Sequence, residues 1–383
     1  MPKPSRTASG LPVSGVREIM DLAWATPGCI RMEVGEPGFP TPPHIVEAGE
    51  RAAREGWTKY APNAGLPELR ETIADKMLRV NGLTVAPGQV VVSPGAMNTL
   101  FTALMTITDP GDGILLPDPA WPNFVMASTL QHLDVQRYTL RPEDGFLPTV
   151  AGLADALTPT TRVLLLNTPS NPLGTLLGRE RLAEILAFAE QHDLWVISDE
   201  CYDGLVFDGD HVSTAAVGGA DRVISVFTFS KSYAMTGWRV GYAVYPGELA
   251  PIATKLQEPV HSCVNAMAQR AAIAALTGPQ DDIEAMRLAY KERRDAVSAE
   301  LDAAGMGHVR PSGAFYTWVD VRDRAATSRE FAIELLRREK VAIAPGTAFG
   351  PAGEGWARVS LATDTEPLLE GVRRLSRFSV RAA

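Results

Sequence analysis

The chain is predicted to be an α/β protein with two parts. These are a large domain with a mostly parallel sheet flanked by helices, and a smaller α+β domain. From Val90 onward, short apolar runs alternate with helix-like segments, which is typical of a parallel sheet covered on both faces. After about residue 280 a long helical segment and short strand-like runs replace this alternation. A length of 383 residues accommodates both domains.

Three helices are predicted in the N-terminal part, at 16–25, near 43–55 and at 67–82. The third has the clearest pattern, because Pro67 suits a first helical turn and Gly82 can end the helix. Its apolar residues recur at helical spacing: Leu69, Ile73, Met77 and Val80.

Five buried strands are predicted in the large domain: "QVVVSPG", "GILLPD", "RVLLLN", "LWVISDE" and "RVISVF". A helix from about Ala96 follows the first strand, and a helix at 179–192 precedes the fourth. Ligands of such sheets bind beyond the carboxyl ends of the strands. Asn167, Asp199 and Lys231 fall at or just after strand ends, which places candidate functional residues at that edge.

The C-terminal part is predicted to contain a long helix at 281–305, short strands around 313–321 and 341–346, and a helix at 329–340. The expected division is an N-terminal segment at 1–40 that joins the small domain, a large domain at 41–280, and a small C-terminal domain at 281–383.

Composition argues against several classes of protein. A net charge of −9 and a pI near 5.3 disfavour nucleic acid or an anionic membrane as partner. No apolar run has the length of a membrane span or a signal peptide. Three scattered cysteines indicate neither a disulfide framework nor a metal site, and the expected location is the cytoplasm.

Lys231 follows an apolar strand and has hydroxyl residues around it, in "TFSKSY". One interpretation is a lysine that extends to solvent. The other is an amine that loses its proton through desolvation or a nearby cation and can form a Schiff base. Arg239, together with Thr228 and Ser230, could bind a phosphate group.

The segment "TFSKSYAMTGWRVGY" resembles the lysine signature of the class I/II aminotransferases that use pyridoxal 5′-phosphate (PLP). These are the aspartate-aminotransferase-like proteins of fold type I. The usual pattern has Gly or Ser three residues before the lysine, whereas this chain has Thr228. Further family motifs occur in order across nearly the whole chain. The resemblance implies PLP as the cofactor, bound as an internal aldimine to Lys231.

Three polar residues are expected at the cofactor ring. The resemblance implies that Asp199 pairs with the pyridine nitrogen, and that Tyr202 and Asn171 donate to the ring hydroxyl oxygen. From the residues alone, an aspartate at a strand end is as often a helix cap as a functional group. Likewise, "NPLG" by itself indicates a turn.

The phosphate is expected at Gly95, Ala96 and Met97, where a helix begins. The unpaired N–H groups and the helix dipole favour an anion there. Arg239 would be its ionic partner. The resemblance places Trp121 against the cofactor ring, although a lone tryptophan more often belongs to a core.

The resemblance also implies residues for the substrate and for a second subunit. Arg358 would form a bidentate ion pair with the substrate α-carboxylate, near Gly35, Trp121 and Asn171. Tyr60 would reach the phosphate of a neighbouring subunit, so a homodimer with shared active sites is expected.

The implied activity is an L-amino acid: 2-oxo acid aminotransferase with ping-pong kinetics through pyridoxamine phosphate. Lys231 would act as the general base. Met97 stands where some aspartate-specific relatives carry a lysine, which favours a neutral or aromatic substrate side chain. Trp24, Phe349 and residues 261–265 are expected to line the side-chain pocket. The alternatives are a β-lyase, a cyclase or an oxidase on the same scaffold, or a non-catalytic PLP-binding protein.

Overall fold

The structure, a computed structural model, describes residues 2–380. Its α-helices are α1 (Arg6–Ser9), α2 (Gly15–Trp24), α3 (Pro43–Arg54), α4 (Pro67–Asn81), α5 (Ala96–Ile107), α6 (Asn123–Leu130), α7 (Val150–Ala156), α8 (Arg179–Gln191), α9 (Ala250–His261), α10 (Ala266–Thr277), α11 (Asp281–Ala303), α12 (Ser328–Glu339) and α13 (Thr365–Arg377). Among the described residues, no helix has the length and apolarity needed to cross a membrane.

The β-strands are also numbered in chain order. They are β1 (Ile30–Arg31), β2 (Val90–Ser93), β3 (Gly113–Asp118), β4 (Asp134–Thr139), β5 (Thr161–Asn167), β6 (Trp195–Asp199), β7 (Val223–Thr228), β8 (Gly241–Val244), β9 (His308–Val309), β10 (Tyr316–Asp320), β11 (Val341–Ala342), β12 (Ala344–Pro345) and β13 (Trp356–Ser360).

A seven-stranded sheet in the order β2-β8-β7-β6-β5-β3-β4 forms the centre of the protein. Every pairing is parallel except the two made by β8, which lies antiparallel between β2 and β7. The prediction of an α/β fold with a mostly parallel sheet is therefore confirmed.

Helices cover both faces of this sheet, and the apolar sequence of β5 fits burial on both faces. Val163 and Leu165 belong to one apolar cluster, which includes residues of α5. Leu164 and Leu166 belong to a second cluster, which includes residues of α8. Because successive side chains of a strand point to opposite faces, a strand buried on both sides is apolar throughout.

A four-stranded antiparallel sheet in the order β12-β13-β10-β9 lies in the C-terminal part. The N-terminal segment joins this part of the chain through the parallel pair β1–β11, in which Ile30 is the partner of Val341. The assignment of the N-terminal segment to the small domain and the limits at residues 40 and 280 stay predictions.

The structure contains two large-sheet strands that sequence patterns did not predict. β4 is an edge strand in which Gln136 and Tyr138 are buried, and it includes Asp134 and Arg137, so it lacks a continuous apolar run. β8 has four residues and follows directly on the Lys231–Arg239 segment. Its antiparallel direction depends on strand pairing, which local sequence does not encode.

Candidate active site

A cavity of about 590 Å³ opens where the parallel strands end. It brings together twelve residues singled out from the sequence: Gly35, Ala96, Met97, Trp121, Asn171, Asp199, Tyr202, Thr228, Ser230, Lys231, Arg239 and Arg358. Those of the large domain meet here because β2, β3, β5, β6 and β7 all end at this edge. Gly35 and Arg358 come from outside the large sheet, from the N-terminal segment and from β13.

Lys231 lies in the turn after β7, and its side chain is directed into this cavity. Its Nζ donates a hydrogen bond to the carbonyl oxygen of Gly35 at 2.7 Å. The rings of Tyr202 and Phe315 lie 5.9 and 5.8 Å from the same nitrogen. Loss of hydration lowers the pKa of the Lys231 amine to about 8, so at neutral pH a larger fraction of it is neutral than for an exposed lysine. The interpretation as a lysine that extends to solvent is therefore not supported.

Asp199 ends β6, and its carboxyl group is buried. Its Oδ1 accepts a hydrogen bond from the main-chain N–H of Cys201 at 3.1 Å. Burial nevertheless raises the pKa of Asp199 to about 6, and the charge of Glu200 adds to the increase. A positively charged group bound beside this carboxylate would oppose the effect of burial and keep Asp199 ionised.

Tyr202 and Asn171, beside Asp199, are arranged by two neighbours to which the sequence patterns assigned no specific role. The Tyr202 hydroxyl lies 2.9 Å from the hydroxyl of Tyr316. Asn171 donates its main-chain N–H to Oδ1 of Asn167 at 2.7 Å, and Asn167 Nδ2 donates to the carbonyl of Asp199 at 3.2 Å. Asn167 was recognisable as a strand-end residue, whereas Tyr316 lies within an apolar strand that gives no such signal.

The α5 end of the cavity is suited to an anion. Gly95 precedes α5 with φ of +81°, and a Cβ at this position would lie 2.6 Å from Nη2 of Arg239. The arginine therefore packs directly on the glycine. The first N–H groups of α5 have no acceptor within their own helix. Thr228 and Ser230 add hydroxyl groups that are 3.0 Å apart.

Arg358, on β13, is buried at another side of the cavity. Its Nη1 donates to Oδ1 of Asn171 at 2.9 Å, and its Nη2 donates to the carbonyl oxygen of Glu33 at 2.6 Å. The guanidinium lies 4.3 Å from the centre of the Tyr316 ring and 4.7 Å from that of Phe349. These contacts hold a buried cation in one orientation, which suits a carboxylate ligand.

Some predicted residues lie elsewhere in the single chain. Tyr60 is 92% exposed and borders a separate surface depression that also includes Cys263, Val264 and Asn265. Trp24 is 60% exposed and stacks with Arg31 rather than lining the cavity. Of the expected side-chain pocket, Phe349 lies in the cavity lining.

The donor groups of this cavity fit PLP. An anion site, a buried carboxylate, hydroxyl and amide groups and a lysine amine match the phosphate, ring nitrogen, ring oxygen and aldehyde of that cofactor. Gly95 leaves no room for a Cβ at the anion site, where backbone and arginine must approach closely. In residues 2–380, no group of three or more His, Cys, Asp or Glu side chains could hold a metal ion.

Lys231→Met is expected to stabilise the protein freed of small molecules, because it removes an amine whose charged form is poorly hydrated. Because the pKa of Lys231 is lower in the folded protein than in the unfolded chain, its positive charge destabilises the folded state. The full effect is present below about pH 8, and it disappears as the pH approaches about 10.4, the pKa in the unfolded chain. We expect the free energy of unfolding in urea to rise by roughly 1–3 kcal/mol near neutral pH, and the gain to vanish near pH 10.5. The exposed Lys255 provides a matched control, since Lys255→Met should have little effect at either pH. An equal gain at both pH values would contradict the burial of the amine.

Known proteins resemble this chain over nearly its whole length. Residues 27–375 match the model of the family "Aminotransferase class I and II". The chain is 38% identical to the aspartate/prephenate aminotransferase of Thermus thermophilus, over 92% of this chain and 91% of the relative. It is 36% identical to aromatic-amino-acid aminotransferase 2 of Thermococcus litoralis, over 95% of each. The crystal structure of Thermus thermophilus aspartate aminotransferase with maleate superposes with a TM-score of 0.94 at 35% identity, covering 98% of this chain and 100% of that one. The chain therefore belongs to the class I and II aminotransferases, enzymes that use pyridoxal phosphate.

Proposed function

We propose that this aminotransferase transfers the amino group of an L-amino acid with a neutral or aromatic side chain to a 2-oxo acid. The observation that carries the proposal is the convergence of Lys231, Asp199 and Arg358 on one cavity. A proton-accepting amine, a carboxylate for a cationic ring and a buried guanidinium for a carboxylate are the groups that amino acid chemistry on PLP requires.

The cofactor would be held by the groups described above. Asp199 would face the ring nitrogen, and Tyr202 and Asn171 would donate to the ring oxygen. Arg239 and the first N–H groups of α5 would bind the phosphate. When bound, PLP supplies an electron sink for the electrons released when the substrate Cα–H bond breaks.

Two residues would act directly on the substrate. Arg358 would bind the α-carboxylate and so fix the direction of the Cα–H bond relative to Lys231. Nζ of Lys231 would take the Cα proton, and its lowered pKa leaves part of the amine neutral for this task. The Gly35 carbonyl, 2.7 Å from Nζ, orients the amine within the cavity.

A half-reaction tests the transamination. Enzyme loaded with PLP and mixed with one amino acid, without an acceptor, should release about one equivalent of 2-oxo acid per site and then stop. Lys231→Ala should slow this release by about 10²–10⁴-fold, because the proton acceptor is lost. Lys255→Ala, at an exposed position on α9, serves as the control and should behave as wild type.

Other outcomes would separate the alternative reactions on this scaffold. Continued release of oxo acid together with ammonia indicates an elimination, and consumption of oxygen indicates an oxidase. Absence of oxo acid with every amino acid tested would refute transamination.

The substrate side chain is expected to meet mainly apolar groups. Val16, Met20, Met97 and Phe349 line the cavity. Arg17 also lines the cavity, and its guanidinium lies 5.8 Å from the ring of Trp24, which lies outside the cavity. The Thermococcus litoralis relative is named for aromatic amino acids, whereas other relatives are named for aspartate, with or without prephenate.

Met97→Lys should shift the preference towards aspartate, because it places a cation at the position where some aspartate-specific relatives carry one. We expect the ratio of kcat/KM for aspartate to that for phenylalanine to rise about tenfold, as one additional favourable ion pair would produce. The measurement compares both donors with 2-oxoglutarate as acceptor. A wild-type enzyme that already prefers aspartate would contradict the proposed side-chain class.

The functional unit is proposed to be a homodimer with shared active sites. Tyr60 is almost fully exposed and lies outside the cavity of its own chain. Apolar and polar residues surround it in an open depression, including Trp57, Val264 and Met267. A second copy that covers this region would bring Tyr60 to the phosphate of the partner.

Mixing two defective variants tests this arrangement. Tyr60→Ala and Lys231→Ala dimers, dissociated and reassembled together, should regain up to about a quarter of wild-type activity, since half of the dimers are mixed and each has one complete site. The variants reassembled separately are the controls. No gain on mixing, with mixed dimers present, would show that Tyr60 does not act across the interface.

A further inference from the structure

Glu33 is a fully buried acidic residue that the proposed chemistry does not use. It follows β1 and directly precedes the segment of Val34 and Gly35 that lines the cavity. Main-chain hydrogen bonds fix its predecessor, Met32, which donates to Ala342 at 2.9 Å and accepts from Ser360 at 2.8 Å. Main-chain hydrogen bonds thus hold the residue before Glu33, and the two residues after it line the cavity.

The Glu33 side chain is bound to Arg31. Nε and Nη2 of Arg31 each lie 2.5 Å from Oε1 of Glu33. The other oxygen, Oε2, has no hydrogen-bond partner among residues 2–380. Arg31 is partly exposed, and its guanidinium lies 5.3 Å from the ring of Trp24 at the end of α2.

A buried carboxylate is costly to keep. Burial raises the pKa of Glu33, and the nearby charges of Arg31 and Arg358 act in the opposite direction. An apolar residue of similar size would usually be at least as stable in such a place. The charge at Glu33 therefore points to a function other than stability.

The main chain of Glu33 contacts Arg358. Its carbonyl oxygen accepts a hydrogen bond from Nη2 of Arg358 at 2.6 Å, and Asn171 accepts from Nη1 at 2.9 Å. These two contacts fix the plane of the guanidinium. Nε of Arg358 has no acceptor in the described part of the chain.

We propose that Glu33 is a positioning residue for Arg358. The ion pair with Arg31 fixes the direction of the Glu33 carbonyl, and this carbonyl orients the guanidinium towards the substrate carboxylate. The pair with Arg31 also prevents the Glu33 carboxylate from competing with the substrate for Arg358. The inference rests on the proposed function at one point, the role of Arg358 as the carboxylate anchor.

The test compares two inhibitors of the PLP-loaded enzyme, 3-phenylpropanoate and 3-phenylpropanamide, which differ in the carboxylate alone. Glu33→Gln should weaken binding of the acid about tenfold and leave binding of the amide unchanged, because a misdirected guanidinium loses its bidentate contact. KM for the amino acid should rise by a similar factor, and kcat should fall as well, because Arg358 also fixes the direction of the Cα–H bond relative to Lys231.

Arg31→Gln provides a second variant at a partly exposed position, where folding is less at risk. It leaves the Glu33 carboxylate free to pair with Arg358. Binding of the acid should therefore weaken about as much as in Glu33→Gln, and binding of the amide should again be unchanged. Glu18→Gln is the matched control, since Glu18 pairs with Arg329 at the surface of α2 and should not affect either inhibitor.

The outcomes distinguish the inference from the function on which it rests. Equal weakening of acid and amide in Glu33→Gln and Arg31→Gln would show a merely structural role and overturn the inference. Unchanged binding of the acid in these variants would also overturn it. A wild-type enzyme that binds acid and amide equally well would refute the anchoring role of Arg358, and with it the inference.

Discussion

Parallel pairing of β5, β6 and β7 is the constraint on which the cavity depends. In this register Asn167 is the partner of Asp199, and Asp199 is the partner of Val226 on β7. Because parallel strands end at the same edge, the turns after them meet in space although they are about 30 residues apart in the chain. The Lys231 turn follows β7 directly, so its amine and the Asp199 carboxylate enter one cavity.

Burial gives these two groups opposite pKa shifts. It favours the neutral form of each, so it raises the pKa of Asp199 and lowers that of Lys231. The same physical cause thus prepares an amine that can accept a proton and a carboxylate that is best satisfied by a cationic ligand. A cofactor with a cationic ring and an aldehyde would use both properties in the proposed arrangement.

The Arg358 side of the cavity depends on contacts between the N-terminal and C-terminal parts of the chain. β1 pairs with β11, and this places the segment of Glu33 and Gly35 between Arg358 and Lys231. One short segment thereby provides an acceptor for the Arg358 guanidinium and an acceptor for the Lys231 amine. The positions of both cations relative to each other are determined by this N-terminal segment.

Local sequence determined the elements and the candidate residues. Apolar runs predicted β3, β5, β6 and β7, helical spacing predicted α4, and the Lys231 segment resembled one family because its motif is contiguous. Tertiary structure decided what depends on long-range pairing. It placed the antiparallel β8 between β2 and β7, directed the Lys231 amine towards the cavity, and brought Tyr316 and Glu33 to Tyr202 and Arg358. The contacts of Lys231 with Gly35, of Tyr202 with Tyr316 and of Arg358 with Glu33 join residues more than 100 positions apart. The burial that sets the pKa of Lys231 and Asp199 exists only once the chain has folded.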